Sequence, residues 1–262
     1  MNAEPLVSIV TPSFNQVAYL EETIQSVLGQ TYPRIEYIII DGASTDGSRE
    51  IIQRYAGRLA GWVSEKDKGQ TDAINKGFAL AKGELLGWIN SDDTLLPNAL
   101  AEAVAFLQEH PQVGLVYGDA HYTDGQGRVI GKFPAAQTDL ARLRRGYVHI
   151  PQQAAFFRKS LWDQVGPLDD SFYFAMDYDL WTRLAALSEL RYVPRLWANF
   201  RLHADAKTIA ADERCWPEML RVHYREGGSR LAPIVLKYQL RRLATPLIRW
   251  RRQRLFTRAR QD

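Results

Sequence analysis

Leu85-Leu86-Gly87-Trp88-Ile89-Asn90-Ser91-Asp92-Asp93 decides the fold, because an apolar run of strand length ends directly in two adjacent carboxylates. Lys82-Gly83-Glu84 bounds it on one side and Thr94-Leu95-Leu96-Pro97 on the other, with Pro97 placed to open a helix and Thr94 or Ser91 near its cap. Two neighbouring negative charges repel and call for a compensating partner. A divalent cation such as Mg²⁺ or Mn²⁺ does this well, and such ions are commonly completed by substrate phosphates rather than by a full protein cage. Taken alone, Ser-Asp-Asp is equally a solvated helix start, since both residue types suit the positive end of a helix.

The same punctuation recurs on either side. Leu6-Val7-Ser8-Ile9-Val10 ends at Thr11-Pro12-Ser13, before the helical pattern Leu20, Ile24, Val27, Leu28. Ile35 to Ile40 ends in Asp41-Gly42, and Ser44-Thr45-Asp46-Gly47-Ser48 leads into Ile51, Ile52 and Tyr55. Trp62-Val63-Ser64 reads as a third short strand and residues 72–82 as a third helix. Near-continuously apolar strands alternating with helices predict a mostly parallel sheet covered on both faces. Right-handed crossovers bring the strand ends to one edge, where such sheets bind ligands. Thr11, Asp41, and Asp92 with Asp93 follow three separate strands, so three βα turns deliver hydroxyl or carboxylate groups to that edge. Beyond Pro97 come a helix from Ala99 to Gln108, a strand from Val113 to Asp119 and a hairpin-like turn over Thr123-Asp124-Gly125-Gln126-Gly127. Residues 132–200 are less regular, with aromatic clusters at Phe156-Phe157 and Phe172-Tyr173-Phe174 and a helix starting near Asp177. A regular half followed by a mixed one suggests nucleotide binding first and acceptor binding second.

The 262 residues, 46% hydrophobic and 24% charged, suit one α/β domain or one domain with a small appendage. Cys215 is the only cysteine, which excludes an internal disulfide and a cysteine-based zinc site and fits a reducing, cytoplasmic setting. Met1-Asn2-Ala3-Glu4-Pro5 has no basic start, and no stretch approaches the length of a membrane span, so neither signal-peptide export nor membrane integration is expected. The formal charge of +3 conceals an asymmetry. Residues 234–262 carry nine Lys or Arg against one Asp, a net +8, which leaves −5 for everything before them.

Collected in order, these motifs resemble the family 2 glycosyltransferases of GT-A fold, of the bacterial type that builds surface polysaccharides. The resemblance is carried by Val7-Ser8-Ile9-Val10-Thr11-Pro12-Ser13-Phe14-Asn15, Tyr37-Ile38-Ile39-Ile40-Asp41-Gly42-Ala43-Ser44-Thr45-Asp46-Gly47 and Asp72-Ala73-Ile74-Asn75-Lys76-Gly77. It continues through Trp88-Ile89-Asn90-Ser91-Asp92-Asp93, Met176-Asp177-Tyr178-Asp179-Leu180-Trp181 and Phe200-Arg201-Leu202-His203, and so spans about residues 5–203. It implies a Rossmann-like GT-A domain over 1–232, with a nucleotide-sugar half to about 118 and an acceptor half over 119–232, followed by a basic amphipathic helical tail over 233–262.

By that resemblance Thr11, Pro12 and Ser13 lie against the nucleotide, and Asp41 accepts a hydrogen bond from the base, although an Asx-turn before Gly42 accounts for it as well. Asp72 and Asn75 belong to a donor-binding helix in which Ile74 stands where the family often has Arg, leaving Lys66, Lys68 or Lys76 as a substitute for the diphosphate. Asn90 replaces the usual first Asp of the family's Asp-x-Asp signature. Asp93 is then the expected direct metal ligand, Asp92 a ribose or supporting contact, and Asn90 and Ser91 donor contacts. His203 is the expected second ligand to Mn²⁺ or Mg²⁺, with a structural histidine as the other reading. Asp177 is the expected catalytic base, or else a helix cap. The implied function is metal-dependent, inverting transfer of a sugar from a nucleotide-sugar, UDP favoured, to a glycan or lipid-linked acceptor hydroxyl. Other classes on a similar frame are a sugar-phosphate nucleotidyltransferase, whose Gly-rich basic loop after the first strand is missing here, and a non-catalytic nucleotide-sugar or glycan-binding module. The tail reads either as a segment lying on an anionic inner membrane face or as a helix pair packed on the domain, and it carries no recognised nucleic-acid motif.

Overall fold

The computed structural model describes residues 4–203 and 212–243. Strand β1 (Val7–Ser13) is buried at every position and pairs in parallel with β2 (Ile35–Asp41) and β4 (Leu85–Trp88), while β3 (Gly61–Ser64) pairs in parallel with β2. Register brings the carboxyl ends together: Ser13 lies opposite Asp41, Asp41 opposite Ser64, and Val10 opposite Trp88.

Alternation in these strands fills two cores, one on each face of the sheet. Ile9, Tyr37 and Ile39 pack with Leu20, Ile24 and Val27 of α1 (Leu20–Leu28), Ile51 and Ile52 of α2 (Ser48–Tyr55), and Leu100 and Val104 of α4 (Ala99–Glu109). Val10, Ile38 and Ile40 face the other way, against Ile74 and Phe78 of α3 (Gln70–Leu80). Gly77 makes that helix's close approach possible, because a Cβ there would sit 2.3 Å from Val10 Cγ1.

The second half is mixed, as its irregular pattern suggested. Short β5 (Thr94–Leu95) pairs antiparallel with β9 (Glu189–Arg201). β6 (Val113–Thr123) turns back into β7 (Val129–Lys132), and β8 (Ala155–Arg158) runs antiparallel between β4 and β6. Long β9 lies parallel to β6, so its carboxyl end reaches the edge where β1, β2 and β4 also end, and this delivers residues 201–203 to the site. Phe156 and Phe157 of β8 supply one ring to each core. Around them run the short helices α5 (Leu140–Arg144) and α6 (Lys159–Val165), then α7 (Met176–Ala185) and α8 (Asp212–Arg225).

Residues 233–243 are helical and begin the basic tail. Ala232, Ile234 and Val235 pack on Trp216, Met219 and Leu220 of α8, whereas Leu236, Leu240 and Leu243 are exposed. The remainder of the expected amphipathic tail, residues 244–262, lies outside the described residues. Among the described residues no helix is long and apolar enough to cross a membrane.

Candidate active site

A cavity of about 1020 Å³ opens at the shared strand edge. Of the residues expected in a site, Pro12, Ser13, Asn90, Ser91, Asp92, Asp93 and Asp177 line it. Thr11, Asp41, Asp72, Asn75 and His203 are not part of its lining.

At the β1 and β2 corner the expected residues divide between core and cavity. Thr11 points into the core, where its hydroxyl meets Tyr37 Oη at 2.9 Å, while Pro12 and Ser13 reach the cavity. Ser13 Oγ is buried and has no hydrogen-bond partner among the described residues. A polar group so placed is costly unless a ligand satisfies it. Asp41, expected to read the base, is instead wholly buried one layer behind. Its carboxylate accepts the Ser44 amide at 3.0 Å and the hydroxyls of Ser44 and Ser64 at 2.5 and 2.6 Å, so it holds the turn after β2 together. The carboxylate presented to the cavity at this corner is Asp67, which accepts the Gly69 amide at 2.8 Å. Gly42 leaves room for it: a Cβ there would stand 2.8 Å from Asp67 Oδ2.

The helix after this loop serves mostly as scaffold. Asp72 accepts the Lys68 amide at 3.1 Å and pairs with Lys76 at 3.3 Å, and Lys76 also bonds Glu65 at 2.9 Å. Of the three lysines weighed for the diphosphate, Lys66 is the one that lines the cavity. Asn75, expected at the donor, uses both ends of its amide on Leu168: Nδ2 donates to the carbonyl and Oδ1 accepts from the N–H, each at 2.9 Å. It therefore ties α3 to the loop that leads into α7.

Residues 90–93 form a turn closed by the Asp93 amide donating to the Asn90 carbonyl at 3.1 Å. Asp93, expected to be the direct ligand, turns inward and is 1% exposed. Its Oδ1 accepts the Arg201 amide at 2.9 Å, and its Oδ2 accepts from Gln153 at 2.9 Å and Asn90 at 3.3 Å. Burial first, and then the neighbouring charge of Asp92, holds this carboxyl well above the usual carboxylate range. Asp92 points outward, and its Oδ2 lies 3.1 Å from His203 Nε2. The histidine expected beside Asp93 thus stands beside Asp92. Tyr19 backs its ring at 4.6 Å, and Arg201 fixes the turn from behind by donating Nε to the Asp92 carbonyl at 2.8 Å.

Among the described residues no group of three His, Cys, Asp or Glu side chains is arranged to hold a metal. A two-ligand protein contribution remains, which is the usual arrangement when phosphates complete the shell. Two neighbouring ligands of an octahedral ion, each about 2.1 Å from it, are separated by about 3.0 Å. The Asp92 to His203 distance fits such an ion.

Gln152 and Gln153 were not expected in the site, and both line it. Gln152 Nε2 donates to the Trp88 carbonyl at 2.6 Å, and its Oε1 accepts from Asn90 at 3.3 Å. Asn90 in turn accepts from Gln70 at 2.7 Å. A polar Gln-Gln pair directly before the apolar strand Ala155–Arg158 was the available signal. On another wall, Tyr173 to Tyr178 line the cavity in unbroken succession together with Cys215 and Met219. Asp177 lies in the first turn of α7, where the helix end favours its negative charge. Asp179 points elsewhere, buried against Arg183 and Arg225.

The parallel first half, the mixed second half and the acidic turn after β4 together define a GT-A fold. The profile of Glycosyl transferase family 2 matches residues 8–165, and the chain belongs to that family. It is 32% identical over 245 residues to an uncharacterized glycosyltransferase of Mycobacterium tuberculosis, covering 90% of this chain and 92% of that protein. A PGL/p-HBAD biosynthesis glycosyltransferase of Mycobacterium bovis is 34% identical over 183 residues, 68% of each chain. In fold it is similar to S. aureus TarS 1-349 in complex with UDP-GlcNAc, at TM-score 0.68 and 20% identity over 92% of this chain and 73% of that one. The mannosyltransferase PcManGT of Pyrobaculum calidifontis, in complex with GDP-Man and Mn²⁺, gives TM-score 0.64 and 21% identity over 89% and 69%. The enzyme class is glycosyltransferase, not the nucleotidyltransferase or binding module that the sequence also left open.

Proposed function

We propose that this glycosyltransferase inverts configuration, depends on a divalent cation, and moves a sugar from a nucleotide-sugar to a glycan or lipid-linked hydroxyl in cell-surface polysaccharide biosynthesis. The observation that carries this reading is the meeting of Asp92 with His203 across 111 residues, at a cavity that Asp177 also lines. Asp92 and His203 would hold the cation, which when bound neutralises charge on the departing diphosphate. Asp93 supports them from within, and Lys66 supplies a further positive charge to the phosphates. Pro12, Ser13 and Asp67 receive the nucleoside, with Asn90 and Ser91 toward the donor sugar.

Asp177 takes the acceptor hydroxyl's proton as the acceptor oxygen bonds to the anomeric carbon. The bond from that carbon to the diphosphate breaks, and its electron pair leaves on the diphosphate. Attack from the face opposite the leaving group gives inversion. UDP is the favoured nucleotide, since the TarS structure holds UDP-GlcNAc, with GDP the other arm because PcManGT holds GDP-Man. A lipid-linked acceptor would place the reaction at a membrane surface. It also suits a tail that lies on an anionic membrane face, which the exposed Leu236, Leu240 and Leu243 beside Lys237, Arg241 and Arg242 favour.

Calorimetric titration with UDP- and GDP-sugars, with and without Mn²⁺, tests the donor and the metal together. Donor affinity should rise with Mn²⁺, and Asp177→Asn should lower kcat by about 10²–10⁴-fold with donor affinity kept within twofold. Turnover of Asp177→Asn at wild-type rate would remove Asp177 from the base role.

A further inference from the structure

We infer that Glu218 of α8 is the positioning residue that sets Asp177, by clamping the three consecutive backbone N–H groups that precede α7. Ala175, at the N-cap of α7, makes no side-chain cap bond. Glu218 reaches the segment that leads into the helix from more than 40 residues downstream. Its Oε1 accepts the Tyr173 amide at 3.0 Å, and its Oε2 accepts the Phe174 and Ala175 amides at 2.7 and 3.0 Å. Charge-assisted bonds of this kind are about twice as strong as neutral ones, and three of them on successive residues leave the segment little freedom.

Tyr173, Phe174, Ala175, Met176 and Asp177 follow one another along the cavity wall, so the clamp acts at the base of the stretch that carries the proton acceptor. Other residues of α8 fasten it to the same region. The Arg221 guanidinium lies 3.7 Å from the Phe172 ring centroid and donates to Ser171 Oγ at 3.0 Å, and Arg225 pairs with the buried Asp179. Glu218 bonds backbone rather than substrate, so it works through geometry. This assignment rests on the reading of Asp177 as the base.

A displacement of about 1 Å at a reacting group costs on the order of 10²-fold in rate. Glu218→Ala should therefore lower kcat by roughly 10²-fold with donor KM within twofold. Glu218→Gln keeps one oxygen able to serve the Phe174 and Ala175 amides, and should recover roughly tenfold of that loss. Hydrogen exchange provides a readout independent of turnover. The amides of Tyr173, Phe174 and Ala175 should exchange at least ~10-fold faster in Glu218→Ala and at an intermediate rate in Glu218→Gln, with β1 amides unchanged. If Glu218→Ala does not fold, Glu218→Gln carries the same comparison. Unchanged exchange at the three amides, or a loss in kcat/KM that arises wholly in donor KM, overturns the inference. Faster exchange there, combined with full activity of Asp177→Asn, would keep Glu218 as the clamp and reject Asp177 as the base, so the two failures are distinguishable.

Discussion

Asp92 and Asp93 are adjacent, yet removing each should have a different consequence. Asp93→Ala takes away an acceptor used by three N–H donors in a buried place. The Arg201 amide belongs to the end of β9 and cannot turn elsewhere, so it is left unsatisfied, at about 1–3 kcal/mol. Gln153 loses a second bond, at about 0.5–1.5 kcal/mol or more, while the Asn90 contact at 3.3 Å adds little. Relief of repulsion from Asp92 offsets part of this, leaving a loss of about 1.5–4 kcal/mol. For a domain of this size, about 2–4 °C of Tm accompanies each kcal/mol, so melting should fall by roughly 3–15 °C. Asp92→Ala removes a partly exposed carboxylate whose side-chain contact is to His203, a change of about 0–1 kcal/mol, and its Tm should shift by less than about 4 °C. Donor titration should give the reverse order: the Mn²⁺-dependent gain in affinity disappears in Asp92→Ala. Circular dichroism melts and calorimetry on the two variants provide the measurement. A stable Asp93→Ala protein that has lost its metal response, beside an Asp92→Ala protein that retains it, would refute this division and restore Asp93 as the ligand.

Gly42→Ala should raise donor KM severalfold with Tm changed by less than about 3 °C, because the new methyl displaces the mobile end of Asp67 rather than backbone; an unchanged KM would remove Asp67 from nucleotide binding. The Cys215 thiol is pushed up to about 12 by burial and by the charges of Asp177 and Glu218. At pH 8 its thiolate fraction is then ~10⁻⁴, against roughly a quarter for an ordinary thiol, and alkylation by iodoacetamide should run about 10³-fold slower than for a free cysteine and quicken tenfold per pH unit. Mass-spectrometric labelling at the rate of glutathione would contradict this. Vesicles rich in anionic lipid should co-sediment the full chain in low salt but not the chain lacking residues 234–262, and equal binding of both would sink the membrane reading.

The sheet was legible in the sequence because parallel strands buried on both faces announce themselves as apolar runs, and β1, β2 and β4 fall where those runs do. Motif order also singled out Arg201-Leu202-His203, which the fold brings against the acidic turn, though sequence alone could not state which carboxylate the histidine would meet. What escaped was direction. Thr11 and Ser13 flank Pro12, yet only Ser13 opens on the cavity, and Asn75 spends its amide on a loop 93 residues away. Those outcomes depend on partners distant in the chain, as do the contributions of Gln152, Gln153 and Glu218. A polar residue with no local reason for its position, such as Gln153 before an apolar strand, is the most that sequence offers in such cases.

The two aspartates show why adjacency is useful in this turn. In the turn after β4 Asp92 is partly exposed and meets His203, whereas Asp93 is buried among N–H donors. The inward one is surrounded by N–H donors from β9 and from the Gln-Gln pair, and it couples the turn to Arg201, two residues before His203. Asp93 therefore ties the turn that carries Asp92 to the strand end that leads to His203. Burial and the neighbouring charge of Asp92 hold the Asp93 carboxyl well above the usual range. Asn90, standing where the resemblance implies an Asp, brings no charge to the turn. Asn90 donates to Asp93 and accepts from Gln70, two bonds that an ionised carboxylate could not make together. Of the two carboxylates of the turn, Asp92 is the one that His203 meets.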